Sequence, residues 1–237
     1  AIFVNGGSTP TQLKNLTIKN CKIDGLRGFG IRAEYIKNVK VYCNTVLNCG
    51  YSGITLLSVV DYIVIKNRID NIQASSGAVN WYGISLTRDP TRSLADSIRS
   101  TNGIVANNIV SNVPLWTGID THAPDKVLIT GNQVYGCKNG IYAQYDSSSA
   151  IHKMPAERVV ISDNMVEGTI LEASGYGIAS LGLSGMPNDN VIIKNNLIIG
   201  CGVYSNLRGA MHITDTNNAD ISSNNITKAV RCGISLT

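Results

Sequence analysis

Val127-Leu128-Ile129-Thr130-Gly131-Asn132-Gln133-Val134, followed shortly by Gly140-Ile141-Tyr142-Ala143, is the stretch that decides how this chain folds. Two apolar residues stand two apart, an Asn follows three later, and another apolar residue sits two beyond that. A period of two belongs to strands, and Asn and Gly break them into short pieces. The frame apolar-x-apolar-x-x-Asn-x-apolar recurs through Leu16-Ile18-Cys21-Ile23, Val39-Val41-Asn44-Val46 and Tyr62-Val64-Asn67-Ile69. It continues, more loosely, in Ile104-Asn107-Ile109, then in Val127-Ile129-Asn132-Val134 and Val159-Ile161-Asn164-Val166. Val191-Ile193-Asn196-Ile198 and Ala219-Ile221-Asn224-Ile226 complete eight copies, with Asn at the turn in all but the first. After each copy comes a Gly-Ile pair or its near relative: Gly30-Ile31, Gly53-Ile54, Gly83-Ile84, Gly118-Ile119, Gly140-Ile141, Gly177-Ile178, Gly209-Ala210 and Gly233-Ile234.

Strands this short cannot bury a face alone. Stacked coil on coil they bury a continuous core and pair every backbone group with the coils above and below. Asn tolerates left-handed backbone angles, and amides stacked at one turn can bond into a ladder. A repeat of roughly 29 residues on average lies in the solenoid range. The shortest, from Cys21 to Asn44, suits three strands and three turns. A leucine-rich-repeat horseshoe needs a helical segment per repeat, which the sequence lacks. The expectation is an all-β, single-stranded solenoid of about eight coils, one domain over residues 1–237. Both ends lie inside strand-like runs without capping segments, as expected of a piece of a longer protein.

Composition narrows the function. Charged residues are 15% against 43% hydrophobic, which argues against disorder. No apolar run is long enough for a membrane helix, so no membrane insertion is expected. A net charge of +4 is too mild to point to nucleic acid. Among the six Cys there is no Cys-x-x-Cys pair, so no metal and no cofactor are expected. Cys49, Cys137 and Cys201 each follow a ladder Asn by five residues, at positions where other coils hold Leu26, Ile72, Thr169 and Ala229. They read as an interior layer of reduced thiols.

The repeat resembles that of the right-handed parallel β-helix proteins, the superfamily of pectate lyases, polygalacturonases and phage tailspikes. The resemblance spans nearly the whole chain and implies the fold more firmly than any one activity.

Departures from the minimal coil locate a groove. Extra residues fall near 87–100, 145–157 and 181–189, and ahead of Gly83, where Asn80, Trp81 and Tyr82 stand. Insertions in repeat proteins tend to gather on one face, often the binding face. With Ile119 inward, the pleat turns Asp120 and His122 outward, beside Ser85 and Thr87 on one coil and Tyr142 and Gln144 on the other. Asp120 and His122 are the candidate acid, base or charge stabiliser, and Asp89 and Asp146 are candidate second carboxylates. On strand geometry each lies roughly 13 Å from Asp120, which leaves room for inverting hydrolysis rather than retaining. Trp81, Tyr82, Trp116, Tyr142 and Tyr145 offer flat faces suited to sugar rings. Gln144 completes the groove, and Arg88 and Arg208 are candidate carboxylate ligands. On coil seven, the pleat counted from Gly209-Ala210 turns His212 inward.

Gly118-Ile119-Asp120-Thr121-His122 is similar to the Gly-hydrophobic-Asp-Pro-His strand of mannuronan C5-epimerases, in which the Asp, the His and a preceding Tyr serve the uronate. Thr117 stands here in place of that Tyr and Thr121 in place of the Pro. The Asp-Thr-His strand also resembles that of phage tail β-helix proteins. That likeness implies a tailspike-type depolymerase that hydrolyses a bacterial surface polysaccharide, capsule or O-antigen. It further implies a homotrimer folded in bacterial cytoplasm and displayed on the virion tail. The alternatives are a lyase or epimerase on uronates, with His122 or Tyr142 as base and Arg88 neutralising the carboxylate, and a glycan-binding module without catalysis. The paired Asp-Asp of polygalacturonases and a strand of Ca²⁺-binding acids are both absent.

Overall fold

The computed structural model describes residues 1–7, 13–73, 81–89, 98–146, 153–168, 175–202, 209–230 and 232–237. Its regular elements are all strands, and every pairing between them is parallel. The strands stack into three faces of a right-handed solenoid. The first face begins with Leu13–Lys19, Ile36–Tyr42, Val60–Ile65 and Thr101–Ala106 and ends with Asp220–Ser222. The second includes Lys22–Leu26, Thr45–Cys49 and Arg68–Asp70. The third includes Phe29–Glu34, Ser52–Leu57, Tyr82–Thr87, Ile178–Leu181 and Met211–Thr214. Two longer strands, Ile109–His122 and Gln133–Gln144, run round the corner from second face to third, with a bulge between Val113 and Thr117.

The Asn ladder runs from Asn44 through Asn67, Asn108, Asn132, Asn164 and Asn196 to Asn224. From Asn67 on, each amide oxygen accepts from both the backbone N–H and the Nδ2 of the previous Asn, for example Asn67 to Asn108 at 3.0 Å in both bonds; Asn44 accepts from the Cys21 N–H. Each Nδ2 also donates to a main-chain carbonyl inside the coil, as Asn132 does to Val105 at 2.9 Å. Asn108, not Asn107, is the rung on coil four. Asn107 is instead the bend before it, with φ 54°, like Asn20, Cys43, Lys66, Asp163, Asn195 and Ser223 at the same place on other coils. The left-handed angle therefore belongs to the residue preceding the ladder, not to the ladder itself.

That one-residue shift reverses which side chains face in. Ile104 points outward and is 39% exposed, while Val105 is fully buried. It also puts Val113 into the layer of Cys49, Cys137 and Cys201, all three of which are buried and free. Thr169 of that layer lies outside the described residues. On coil seven a second shift occurs. Ile178 pairs with Met211, so the Gly-Ile position is taken by Ala210-Met211 rather than Gly209-Ala210. Gly fits this column because a Cβ at Gly83 or Gly140 would strike the carbonyl oxygen of the next coil's glycine, 2.5 and 2.2 Å away.

The core fills the solenoid with Ile and Val in register, including Ile31, Ile54, Ile84, Ile119, Ile141 and Ile178 from the third face. One column varies in size: Tyr62 points inward over Gly103, where a Cβ would lie 1.9 Å from its ring. Large and small residues on adjacent coils together conserve volume.

Candidate functional site

On the third face, residues two after each column glycine, or after Ala210 on coil seven, form an outward column: Arg32, Thr55, Ser85, Asp120, Tyr142, Ala179 and His212. Two positions further on run Glu34, Leu57, Thr87, His122, Gln144 and Leu181. Asp120 sits between Ser85 and Tyr142, as the pleat predicts. The surprise is its burial. Asp120 is wholly covered, while the His122 side chain is one quarter exposed.

The two form a pair, His122 Nε2 to Asp120 Oδ2 at 2.9 Å. Gln144 Nε2 donates to the other oxygen, Oδ1, at 2.8 Å. Asp120 thus has both oxygens engaged and serves as an orienting partner of the imidazole. His122 Nε2 also lies 3.3 Å from Gln144 Nε2; the assigned tautomer puts the proton on Nε2, facing the carboxylate, and the lone pair on Nδ1. Burial pulls the His122 pKa down. The charge of Asp120, its hydrogen bond, and the charge of Asp146 outweigh that pull, and the net shift is upward.

Behind His122, Arg88 and Asp146 form an ion pair at 2.5 Å with both side chains essentially inaccessible. They belong to strand ends on coils three and five, so the pair arches over coil four, where Ala123 is fully buried. Arg88 is therefore committed to Asp146, not open to a substrate carboxylate. Asp146 in turn is not an exposed second carboxylate. Asp89 is held at the opposite side, accepting from the Tyr35 hydroxyl and, through its N–H, bonding Ser58 Oγ at 3.3 Å. The backbone of Asp146 also bridges that of Met154 in antiparallel fashion, which closes the stem of the 145–157 insertion. The 181–189 insertion turns back through a bridge between Leu183 and Met186. Asn80, Arg208 and the middle of the 87–100 insertion lie outside the described residues.

The aromatic candidates separate. Trp81 is 3% exposed and packs in the main core, so it presents no face to a ligand. Trp116 lies in the corner bulge beneath the Lys138 ammonium, 5.3 Å from its ring centroid, and Tyr145 caps the end of its strand. Neither lines the cavity beside His122. Tyr142 is buried in a separate cluster with Tyr176, whose ring stacks on His212 at 4.6 Å and 9°. His212 faces outward there, opposite to the inward orientation predicted for it, because the strand is registered from Ala210 rather than Gly209.

A cavity of about 300 Å³ opens beside His122, lined among others by Tyr82, Ser85, Tyr51, Phe29 and Arg32. Phe29 to Tyr51, Tyr51 to Tyr82 and Tyr82 to His122 are ring neighbours at 4.9, 5.9 and 6.3 Å. Of these, Phe29, Tyr51 and Arg32 were not singled out from sequence. A signal was present: in the first three coils an aromatic residue stands one or two places before the glycine, Phe29-Gly30, Tyr51-Ser52-Gly53 and Tyr82-Gly83. Tyr82 pairs in register with Thr117. A phenol therefore occupies, one coil away, the column where Thr117 itself has none. Among the described residues no group of three metal-ligating side chains occurs.

The model for the right-handed beta helix region matches residues 1–92 and 92–237. Among solved structures, the A-module of the mannuronan C-5 epimerase AlgE6 from Azotobacter vinelandii aligns at 15% identity and a TM-score of 0.53, over 90% of this chain and 58% of that one. The AlgE4 A-module of the same organism aligns at 15% identity and 0.44, over 94% and 63%. The surface protein and adhesin PfbA of Streptococcus pneumoniae aligns at 12% and 0.45, over 86% and 68%. The chain thus spans about three fifths of the two epimerase modules, and at such identity the likeness is one of fold. No curated protein matches the sequence. The family model covers the chain from end to end, and the protein belongs to the right-handed β-helix family.

Proposed function

We propose that this chain acts on uronate-containing polysaccharide by proton transfer at the carbon next to the sugar carboxylate, as a lyase or epimerase. The observation that carries the reading is the Asp120–His122 pair: a buried carboxylate orienting a partly exposed imidazole, beside the Tyr82 phenol, in a cavity on the insertion-bearing face. An imidazole so held is a general base whose protonated form the carboxylate stabilises. Neutral His122 takes the ring proton, and Tyr82, which lines the same cavity, is the candidate to return one. If the proton goes back to the opposite face of the carbon, the sugar is epimerised. If the bond to the leaving glycosidic oxygen breaks instead, an unsaturated uronate forms. The shared fold of the mannuronan C-5 epimerase module AlgE6 is compatible with this class.

Hydrolysis by two carboxylates draws less support. Among the described residues Asp89 and Asp146 are each engaged elsewhere, and Asp120 has no free oxygen for a sugar. The phage-tail setting and the homotrimer rest on the resemblance of the Asp120-Thr121-His122 strand.

The test is incubation with poly-mannuronate, poly-galacturonate and poly-glucuronate in D₂O, following hydrogen exchange by NMR and ultraviolet absorbance. Exchange or new absorbance is expected with at least one polymer, falling about 10²–10⁴-fold in His122→Asn. Chain shortening without either signal would make the protein a hydrolase. Binding without any reaction would leave a glycan-binding module.

A further inference from the structure

We propose that Phe29, Tyr51 and Arg32 form a distal subsite that binds a second acidic sugar of the same chain, on the N-terminal side of His122; this rests on the uronate reading above. The rings of Phe29, Tyr51 and Tyr82 advance one per coil towards His122 at 4.9, 5.9 and 6.3 Å. Coils repeat at roughly 4.8 Å, close to the advance of an extended polysaccharide per sugar. A glycan lying along the solenoid axis therefore meets one ring per residue, and the site chemistry falls at the end of that row.

Arg32 supplies the charge recognition. Its guanidinium lies 4.4 Å from the Phe29 ring centroid and 5.8 Å from that of Phe3, a cation–π arrangement that fixes its plane. Glu34 accepts from Nε and is itself steadied by Asn5 Nδ2 at 3.0 Å. The two terminal nitrogens bond no other side chain among the described residues, and 31% of the side chain is exposed. A guanidinium anchored at Nε with its far edge open suits bidentate binding of a carboxylate. Arg32 and the rings line the same cavity as His122, so the subsite is continuous with the reacting end. The other cation lining this cavity, Arg88, is buried against Asp146. Arg32 is thus the open cation lining that cavity, and it sits three coils from His122, where it meets a sugar other than the one being transformed.

The test measures binding by calorimetry on a His122→Asn background, which removes turnover. The probes are tetramers of mannuronate, galacturonate and glucuronate, each with its carboxyl-reduced neutral counterpart. The acidic tetramer of one series is expected to bind about tenfold tighter than its neutral counterpart, the size of a charge-assisted hydrogen bond. Arg32→Gln should close that gap, and Arg32→Lys, which keeps a partner for Glu34, should restore part of it. Phe29→Leu should weaken the neutral tetramer through the lost stacking face, and the acidic one at least as much, because the Phe29 ring also holds Arg32. The proposal is overturned if no acidic tetramer binds better than its neutral form, or if the preference survives Arg32→Gln. If the preference depends on Arg32 but the wild-type protein transforms no polyuronate, the subsite stands and the catalytic reading falls.

Discussion

Two columns of this solenoid run side by side along its axis and obey opposite rules. Down the ladder the residue hardly changes: Asn44, Asn67, Asn108, Asn132, Asn164, Asn196 and Asn224, each bonded to the next. Down the outer column of the third face no two consecutive residues agree: Arg32, Thr55, Ser85, Asp120, Tyr142, Ala179, His212. The outer column of the first face gives a third case, with Ile63, Ile104, Leu128, Val160 and Ile192 in succession. Stacking asks each coil to repeat its neighbour wherever a side chain bonds to its own copy. It asks nothing of side chains that point away from the core. Variety on an outward column is therefore unexplained by the fold, and in this protein it gathers where the cavity and the buried charges are.

The comparison breaks most visibly at the ladder. Asn132→Ala removes an acceptor used by both the N–H and the Nδ2 of Asn108 and takes one donor from the Val105 carbonyl. Unsatisfied buried groups cost about 1–3 kcal/mol each, so a loss of about 3 kcal/mol or more is expected in urea unfolding. A loss below about 1 kcal/mol would show that the ladder is ornamental.

On the varied column the expected effect lies in pH, not stability. The His122 pKa is raised, so its protonated form is favoured by the fold: the stability it contributes is present below the unfolded value of about 6.5 and is lost as pH rises through the folded value. Activity that needs neutral His122 should rise with pH through a midpoint above about 6.5. Asp120→Asn should move that midpoint down while the protein remains folded. An unmoved midpoint would mean that Asp120 does not act through His122.

The smallest effect sharpens the contrast between inside and outside. Burial pushes the Cys137 and Cys201 thiols up to about 12, whereas Cys43 is exposed. A thiol reagent at neutral pH should label Cys43 first, and Cys137 and Cys201 only on unfolding. Prompt labelling of Cys137 in the native protein would contradict the packed interior.

How much of this was legible in the residues follows the same division. The repeat could be read because ladder and core positions are chosen by stacking, and each copy confirms the others. Reading failed by one residue at Asn107-Asn108 and at Gly209-Ala210, where two similar residues stand together and either satisfies the frame. Such a slip inverts every neighbour, which is why Ile104 and His212 came out on the wrong side. Asp120 and His122 were legible through the pleat. The commitment of Arg88 to Asp146, and of Asp89 to Tyr35, was not, because those contacts cross coils that are far apart in sequence. Trp81 looked like part of the groove because it stands in an insertion, yet its ring packs into the core.

The bends before the ladder carry a kinetic consequence. Seven of the eight corners there place a non-glycine residue in the left-handed region, with φ between 54° and 57°, and only Gly131 does so freely. A single coil forming alone would adopt those unfavourable angles with no neighbour to bond. Its ladder Asn would also lack both a donor and an acceptor. Folding must therefore start from at least two coils meeting at once, a nucleus made of contacts remote in sequence. Such nuclei form slowly. Once formed, a stack of two offers the third coil a finished template, and growth along the axis is the easy step.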